Sequence, residues 1–122
     1  MPAHIYDIAR GVEYDLTDHK VLRRLERDAL KGRIVAAMLA TPCTSWSVAR
    51  NRTNVIRSRG EPWGVREPKK PLSVKDAESL LLGNRTMRST LKLLRLFTKL
   101  KIPWALENPF SSNMWWVPAL RK

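Results

Sequence analysis

The sequence has one cysteine, Cys43, and only two histidines. An internal disulfide is therefore excluded, and so few soft ligands make a poor zinc site; metal-free chemistry is the starting expectation. Long apolar stretches are missing too. The longest, Ile34 to Ala40, is far too short to span a bilayer, so no membrane partner is expected. The start, Met1-Pro2-Ala3-His4, has no basic region followed by a long apolar stretch and reads as no secretory signal. A cytoplasmic or nuclear setting follows as the default expectation. Acidic residues are scarce: 11 Asp and Glu face 23 Lys and Arg, a formal charge of +12. Such a surplus on so short a chain favours a polyanionic partner, and nucleic acid is the usual one. A merely basic or ribosome-associated protein is the plainer alternative.

What is present suits one modest folded domain. Apolar residues make up 43% of the 122 positions, too many for a disordered chain. His4 to Asp7 reads as a short strand ending in an acid, and Gly11 to Leu16 as a turn with a second short strand. Asp18 is placed to cap a helix from His19 to Lys31, whose Val21, Leu22, Leu25 and Ala29 share one face. Gly32 stands where a helix C-terminus favours glycine. Ile34 to Ala40 contains no polar residue, which predicts a parallel strand buried on both faces. It ends at Thr41-Pro42-Cys43, and the carboxyl ends of such strands line the ligand crevice of open α/β sheets.

From Arg50 to Lys70 the character changes. Arg50, Arg52, Arg57, Arg59, Arg66, Lys69 and Lys70 face only Glu61 and Glu67, and five Gly and Pro residues up to Pro71 interrupt any periodicity. This predicts a long basic loop over 50–71, of the length that is usually functional or disordered. A helix is expected from Ser73 to about Leu82, a break at Gly83-Asn84, and a stronger helix from Arg85 to Leu100. Arg88, Lys92, Arg95 and Lys99 form a basic stripe on that helix, read as a solvated face in preference to a phosphate contact. Pro103 to Leu106 reads as a second buried strand ending at Glu107-Asn108-Pro109. A short helix and tail follow, around Trp115, Trp116 and Pro118. The alternation of strand, helix, strand, loop, helices and strand predicts an α/β chain with a parallel sheet and right-handed crossovers.

Two residues stand out chemically. A lone cysteine is most often a small buried hydrophobe, but Cys43 follows a strand and a stiffening proline and precedes a basic loop. Nearby positive charge favours the thiolate, the nucleophilic form. Glu107 closes an apolar strand, where desolvation would favour a protonated carboxyl able to donate a proton. Its plainer role is to cap a helix or pair with an arginine.

Together these segments resemble the cytosine 5-methyltransferases. Pro42-Cys43-Thr44-Ser45-Trp46-Ser47 is similar to their Pro-Cys-x-x-Phe-Ser signature. Glu107-Asn108-Pro109 is similar to their Glu-Asn-Val signature, in a Glu-Asn-Pro form found in phage and mobile-element relatives. Gly83-Asn84 and Pro62-Trp63-Gly64 resemble the segment between the two. The likeness covers roughly residues 5 to 120, and its specific parts are the two signatures.

The resemblance implies a single, partial methyltransferase catalytic domain over residues 1–122, Rossmann-like, with loop 50–71 contacting DNA. It implies that Cys43 attacks the cytosine ring carbon beside the methylation position, with Pro42 fixing its turn. Glu107 would hold the base edge and protonate the ring nitrogen, and Asn108 would hold neighbouring backbone. S-adenosylmethionine would supply the methyl group to a base flipped out of its duplex. Asp7 would meet the cofactor ribose, and Asp15 or Asp18 the adenine, with helix capping the other role open to Asp18. Ser47, Arg50, Arg52, Arg57 and Arg59 would bind DNA. The family's first strand and Gly-rich turn have no counterpart before His4, and its later arginine and target-recognition segments have none after Glu107. Three explanations follow: a fragment, a split gene whose second polypeptide supplies those parts, or a degenerate remnant. Two other classes compete: a non-catalytic nucleic-acid-binding remnant of the same fold, and an amino-methyltransferase acting on adenine or cytosine. The Asp-Pro-Pro-Tyr signature of the latter compares poorly with Thr41-Pro42-Cys43-Thr44.

Overall fold

The computed structural model describes residues 15–40, 45–46, 54–108 and 111–120. Within them the order is helix α1 (His19–Leu30), strand β1 (Ala37–Ala40), helix α2 (Val74–Lys99) and strand β2 (Trp104–Glu107), then two 3₁₀ turns, Asn113–Trp116 and Pro118–Leu120. The chain is thus mixed α/β. The expected strands at His4–Asp7 and within Gly11–Leu16 fall wholly or almost wholly outside the described residues.

Both helices are closed by local chemistry. The Asp18 carboxylate accepts from Lys20 N at 2.9 Å and caps α1. Ser73 Oγ accepts from Asp76 N at 3.0 Å and caps α2. These bonds satisfy backbone donors that lack a partner in the first helical turn. At the other end of α1, Gly32 takes φ 74° and donates to the Ala29 carbonyl, while Arg33 N donates to Asp28. The same pair of reverse bonds ends α2, from Lys101 N to Thr98 and from Ile102 N to Phe97. There the left-handed position is held by Lys101, at φ 59°.

One continuous helix of 26 residues replaces the two helices expected around a break at Gly83-Asn84. The glycine does not interrupt α2 because packing requires it there. A Cβ on Gly83 would collide with Ser45 Oγ and lie 2.7 Å from Arg57 Nη2 and 3.2 Å from Trp46 Nε1. The weak helix former is the price of letting the Ser45-Trp46 turn lie against the helix.

α2 is the central pillar, with two core clusters along its middle and C-terminal part. Toward its C-terminus, Leu93 and Phe97 pack with Leu22 and Ala29 of α1, with Ile102, and with Ala37 and Leu39 of β1. Toward its middle, Met87 and Leu91 pack with Trp46, Met114, Val117 and Leu106 of β2. Each fully buried side chain of this size contributes about 1.5–3 kcal/mol through area removed from water. Ser89 Oγ donates to the Leu16 carbonyl at 2.8 Å and ties the start of α1 to the pillar. Of the predicted basic stripe, Lys92 pairs with Glu26 across the α1–α2 interface at 3.4 Å.

β1 and β2 run parallel, with Ala37, Met38, Leu39 and Ala40 facing Trp104, Ala105, Leu106 and Glu107 in register. The parallel pairing matches the expectation; burial on both faces does not. Exposure alternates along β1, and Met38 is 77% exposed. Leu39 and Leu106 turn inward to the two clusters. Among the described residues the sheet has only these two strands and no layer on its outer face, so the unbroken apolar run covers one core instead of two.

Candidate functional site

The paired strand ends define the site. Ala40, the residue before Thr41 in the chain, lies opposite Glu107, which begins the Glu-Asn pair. Three residues past Cys43, Trp46 is fully buried in the cluster that also holds Leu106, next to Glu107 in β2. Cys43 and Pro42 themselves lie outside the described residues, as do Asp7, Ser47, Arg50 and Arg52. What the structure brings together is their flanks: the residues three before and three after Cys43 both pack at the carboxyl end of β2. Glu107 is exposed there and Asn108 half-buried.

Arg57 organises the other side of this rim. Expected to face DNA phosphates, it is instead 1% exposed. Its Nε donates to the Ser45 carbonyl at 3.0 Å. Nη1 donates to the Pro62 carbonyl at 2.9 Å and to Asn84 Oδ1 at 2.6 Å. Nη2 donates to Ser45 Oγ at 2.9 Å and to the Leu80 carbonyl at 3.2 Å. All five guanidinium donors are therefore used inside the protein, and none is left for phosphate. The guanidinium carbon also lies 3.5 Å from the centre of the Trp46 ring, a close cation–π contact. Burial pushes the Arg57 pKa down from its ordinary value to about 10, which still leaves it charged at neutral pH. Arg57 is drawn inward by five acceptors, three of them backbone carbonyls, supplied by the Ser45-Trp46 turn, the loop and α2.

The loop over 54–71 is accordingly not a loose arm. Ile56 is buried beside Arg57, and its carbonyl accepts from Val65 N at 3.0 Å. Asn54 Nδ2 donates to the Lys70 carbonyl at 3.2 Å, closing the loop at its base. Asn84 Nδ2 reaches back to the Trp63 carbonyl at 2.9 Å. Arg59 alone of the described arginines expected to contact DNA stays at the surface, 4.7 Å from the centre of the Trp116 ring.

Asp15 and Asp18, two of the three acids expected near a cofactor, serve the start of α1. Asp15 Oδ1 accepts from Thr17 N at 2.9 Å and from Thr17 Oγ1 at 2.7 Å, and Asp18 Oδ1 is the helix cap. Capping was the alternative role for Asp18, and the geometry assigns it that bond.

Sequence reasoning missed several residues here. Trp46, read only as part of a signature, is the buried anchor of the rim, with Trp63 edge-on to it at 5.9 Å and 74°. Arg88, read as one of a solvated stripe, lies 5.6 Å over the Trp63 ring. The available signal was the placing of Trp63 inside a basic segment. No helix among the described residues is long and apolar enough to cross a membrane. No protein-family model, curated protein or solved structure matches the chain.

Proposed function

We propose that this chain is the catalytic part of a DNA cytosine 5-methyltransferase on a Rossmann-like sheet, with Cys43 as its nucleophile. One observation carries the reading: the register that pairs Ala40 with Glu107. It supports convergence of a thiol and a carboxyl group from distant parts of the chain at one sheet edge, as the covalent mechanism needs. The Cys43 thiolate forms a bond to the ring carbon beside the methylation position, and the electron pair moves into the ring. Glu107 hydrogen-bonds the base edge and gives a proton to the ring nitrogen as that charge develops. Arg57 positions the turn that follows Cys43 through Ser45 and Trp46.

S-adenosylmethionine enters this reading through the resemblance alone, as the source of the methyl group. Asp15 and Asp18 fit its cradle poorly, since each uses a carboxylate oxygen at the start of α1. A second polypeptide that completes the cradle belongs to the same proposal, and no step here is routed through the cofactor.

A trapped adduct tests the chemistry. Duplex DNA containing 5-fluorocytosine is incubated with the chain, S-adenosylmethionine and an extract of its native host. A denaturation-resistant adduct mapped to Cys43 by mass spectrometry is expected, lost in Cys43→Ser. Methylation that proceeds without any bond to Cys43 would overturn it. The second reading, a non-catalytic nucleic-acid binder, is favoured by the surface Arg–Trp pairs; it requires DNA binding with no adduct at all.

A further inference from the structure

We propose that the turn around Trp63 is a separate subsite for one unpaired DNA base, resting on the nucleic-acid reading above but not on Cys43. A cavity of about 420 Å³ opens here, lined by Gly60 to Gly64, Arg66 and Pro118. Its lining is mostly apolar, with Trp63, Pro62 and Pro118 among the residues around it. One exposed arginine, Arg66, lines it. Outside the lining, Arg88 lies 5.6 Å from the centre of the Trp63 ring, and Arg59, next in the chain to Gly60, lies 4.7 Å from that of Trp116.

Three features select the ligand. The volume lies within the range of small-ligand sites and suits one nucleotide, whereas a duplex is far too wide to enter. An indole offers a face to any base, and a guanidinium plane against an aromatic ring extends that stacking surface. The only carboxylate in the lining, Glu61, is turned to the loop itself, with Oε2 accepting from Arg66 N at 3.2 Å. The +12 charge then favours a ligand with a phosphate backbone over a neutral one.

The loop geometry holds Trp63 in place. Trp63 is fixed through its carbonyl by Asn84 and edge-on by Trp46, and Gly64 N donates to the Glu61 carbonyl at 3.1 Å. A rigid aromatic loses little freedom when a base stacks on it. That is the condition under which stacking adds affinity beyond charge alone.

Oligo(dT) separates this subsite from the methyltransferase reading, because it contains no cytosine. Fluorescence anisotropy with a labelled dT 12-mer, an abasic 12-mer and a U 12-mer tests it on the full chain. The dT oligomer should bind roughly tenfold more tightly than the abasic one, the scale of one stacked base. Trp63→Leu should remove that difference while leaving abasic binding within about twofold, and Trp63→Phe should restore most of it. Cys43→Ser should bind dT like the native chain, whatever the fate of the adduct experiment. Equal binding of dT and abasic oligomers by the native chain would overturn the subsite, even if Trp63→Leu fails to fold. Tighter binding of U than of dT would overturn DNA as its ligand.

Discussion

Arg57 and Gly83 meet at the Ser45-Trp46 turn, and each behaves against its usual surface role. Truncating Arg57 to Met would leave carbonyls of Ser45, Pro62 and Leu80 and the Asn84 amide oxygen without their donor, each at about 1–3 kcal/mol. Whole domains are stable by only about 5–15 kcal/mol, so Arg57→Met is expected to leave the chain largely unfolded in water. Urea unfolding followed by tryptophan fluorescence checks this; a midpoint within experimental error of native would contradict the buried network. Arg57→Lys keeps the charge but not the planar fork, and should fall between the two. Gly83→Ala reverses an intrinsic preference. Helix propensity alone would stabilise α2 by about 1 kcal/mol. The methyl must instead displace Ser45 and Arg57, so a loss of about 1–3 kcal/mol is expected in the same assay.

At the scale of elements, the two helix ends make a matched comparison. Both close with the same reverse hydrogen bonds, but α1 places glycine in the left-handed position and α2 places Lys101 there. An L-residue with a Cβ is disfavoured in that region by roughly 1–2 kcal/mol. Lys101→Gly should therefore raise stability by up to about 1 kcal/mol, and Gly32→Ala should lower it by a similar amount. Thermal unfolding of both variants reads the opposite signs directly; equal signs would mean that the two ends are not equivalent. Strand β1 allows a second test. Met38 is 77% exposed. Met38→Ala should change stability by less than about 0.5 kcal/mol, against the 2–5 kcal/mol of a truncated core methionine.

For the whole molecule, charge is the governing quantity. The net +12 is spread over helices and loop, and one arginine of the expected DNA-contacting set is withdrawn into the interior. Binding to single strands should weaken with salt. Each phosphate contact contributes a slope of about −0.7 in log affinity against log salt concentration. Arg66→Gln and Arg88→Gln should each flatten that slope by about 0.7, measured by anisotropy from 50 to 200 mM salt; an unchanged slope would remove those arginines from the interface.

Much of the architecture was legible in residue order. Asp18 before an apolar-periodic stretch and Gly32 after it bounded α1, because capping bonds are local and their donors lie within a few residues. Two short apolar runs announced the strands, since their pattern needs no knowledge of the partner. The closeness of Ala40 to Glu107 followed only in outline, from the rule that parallel strands present their carboxyl ends together. Tertiary structure decided the rest. Arg57 looks like its neighbours in a basic loop, and nothing within ten residues on either side distinguishes a guanidinium that meets phosphate from one that meets Ser45, Pro62, Leu80 and Asn84. Gly83 reads as a helix break until the turn packed against it is known. Local signals act through covalent neighbours and so survive in the sequence; burial and hydrogen-bond partnership depend on which distant segments the fold brings into contact.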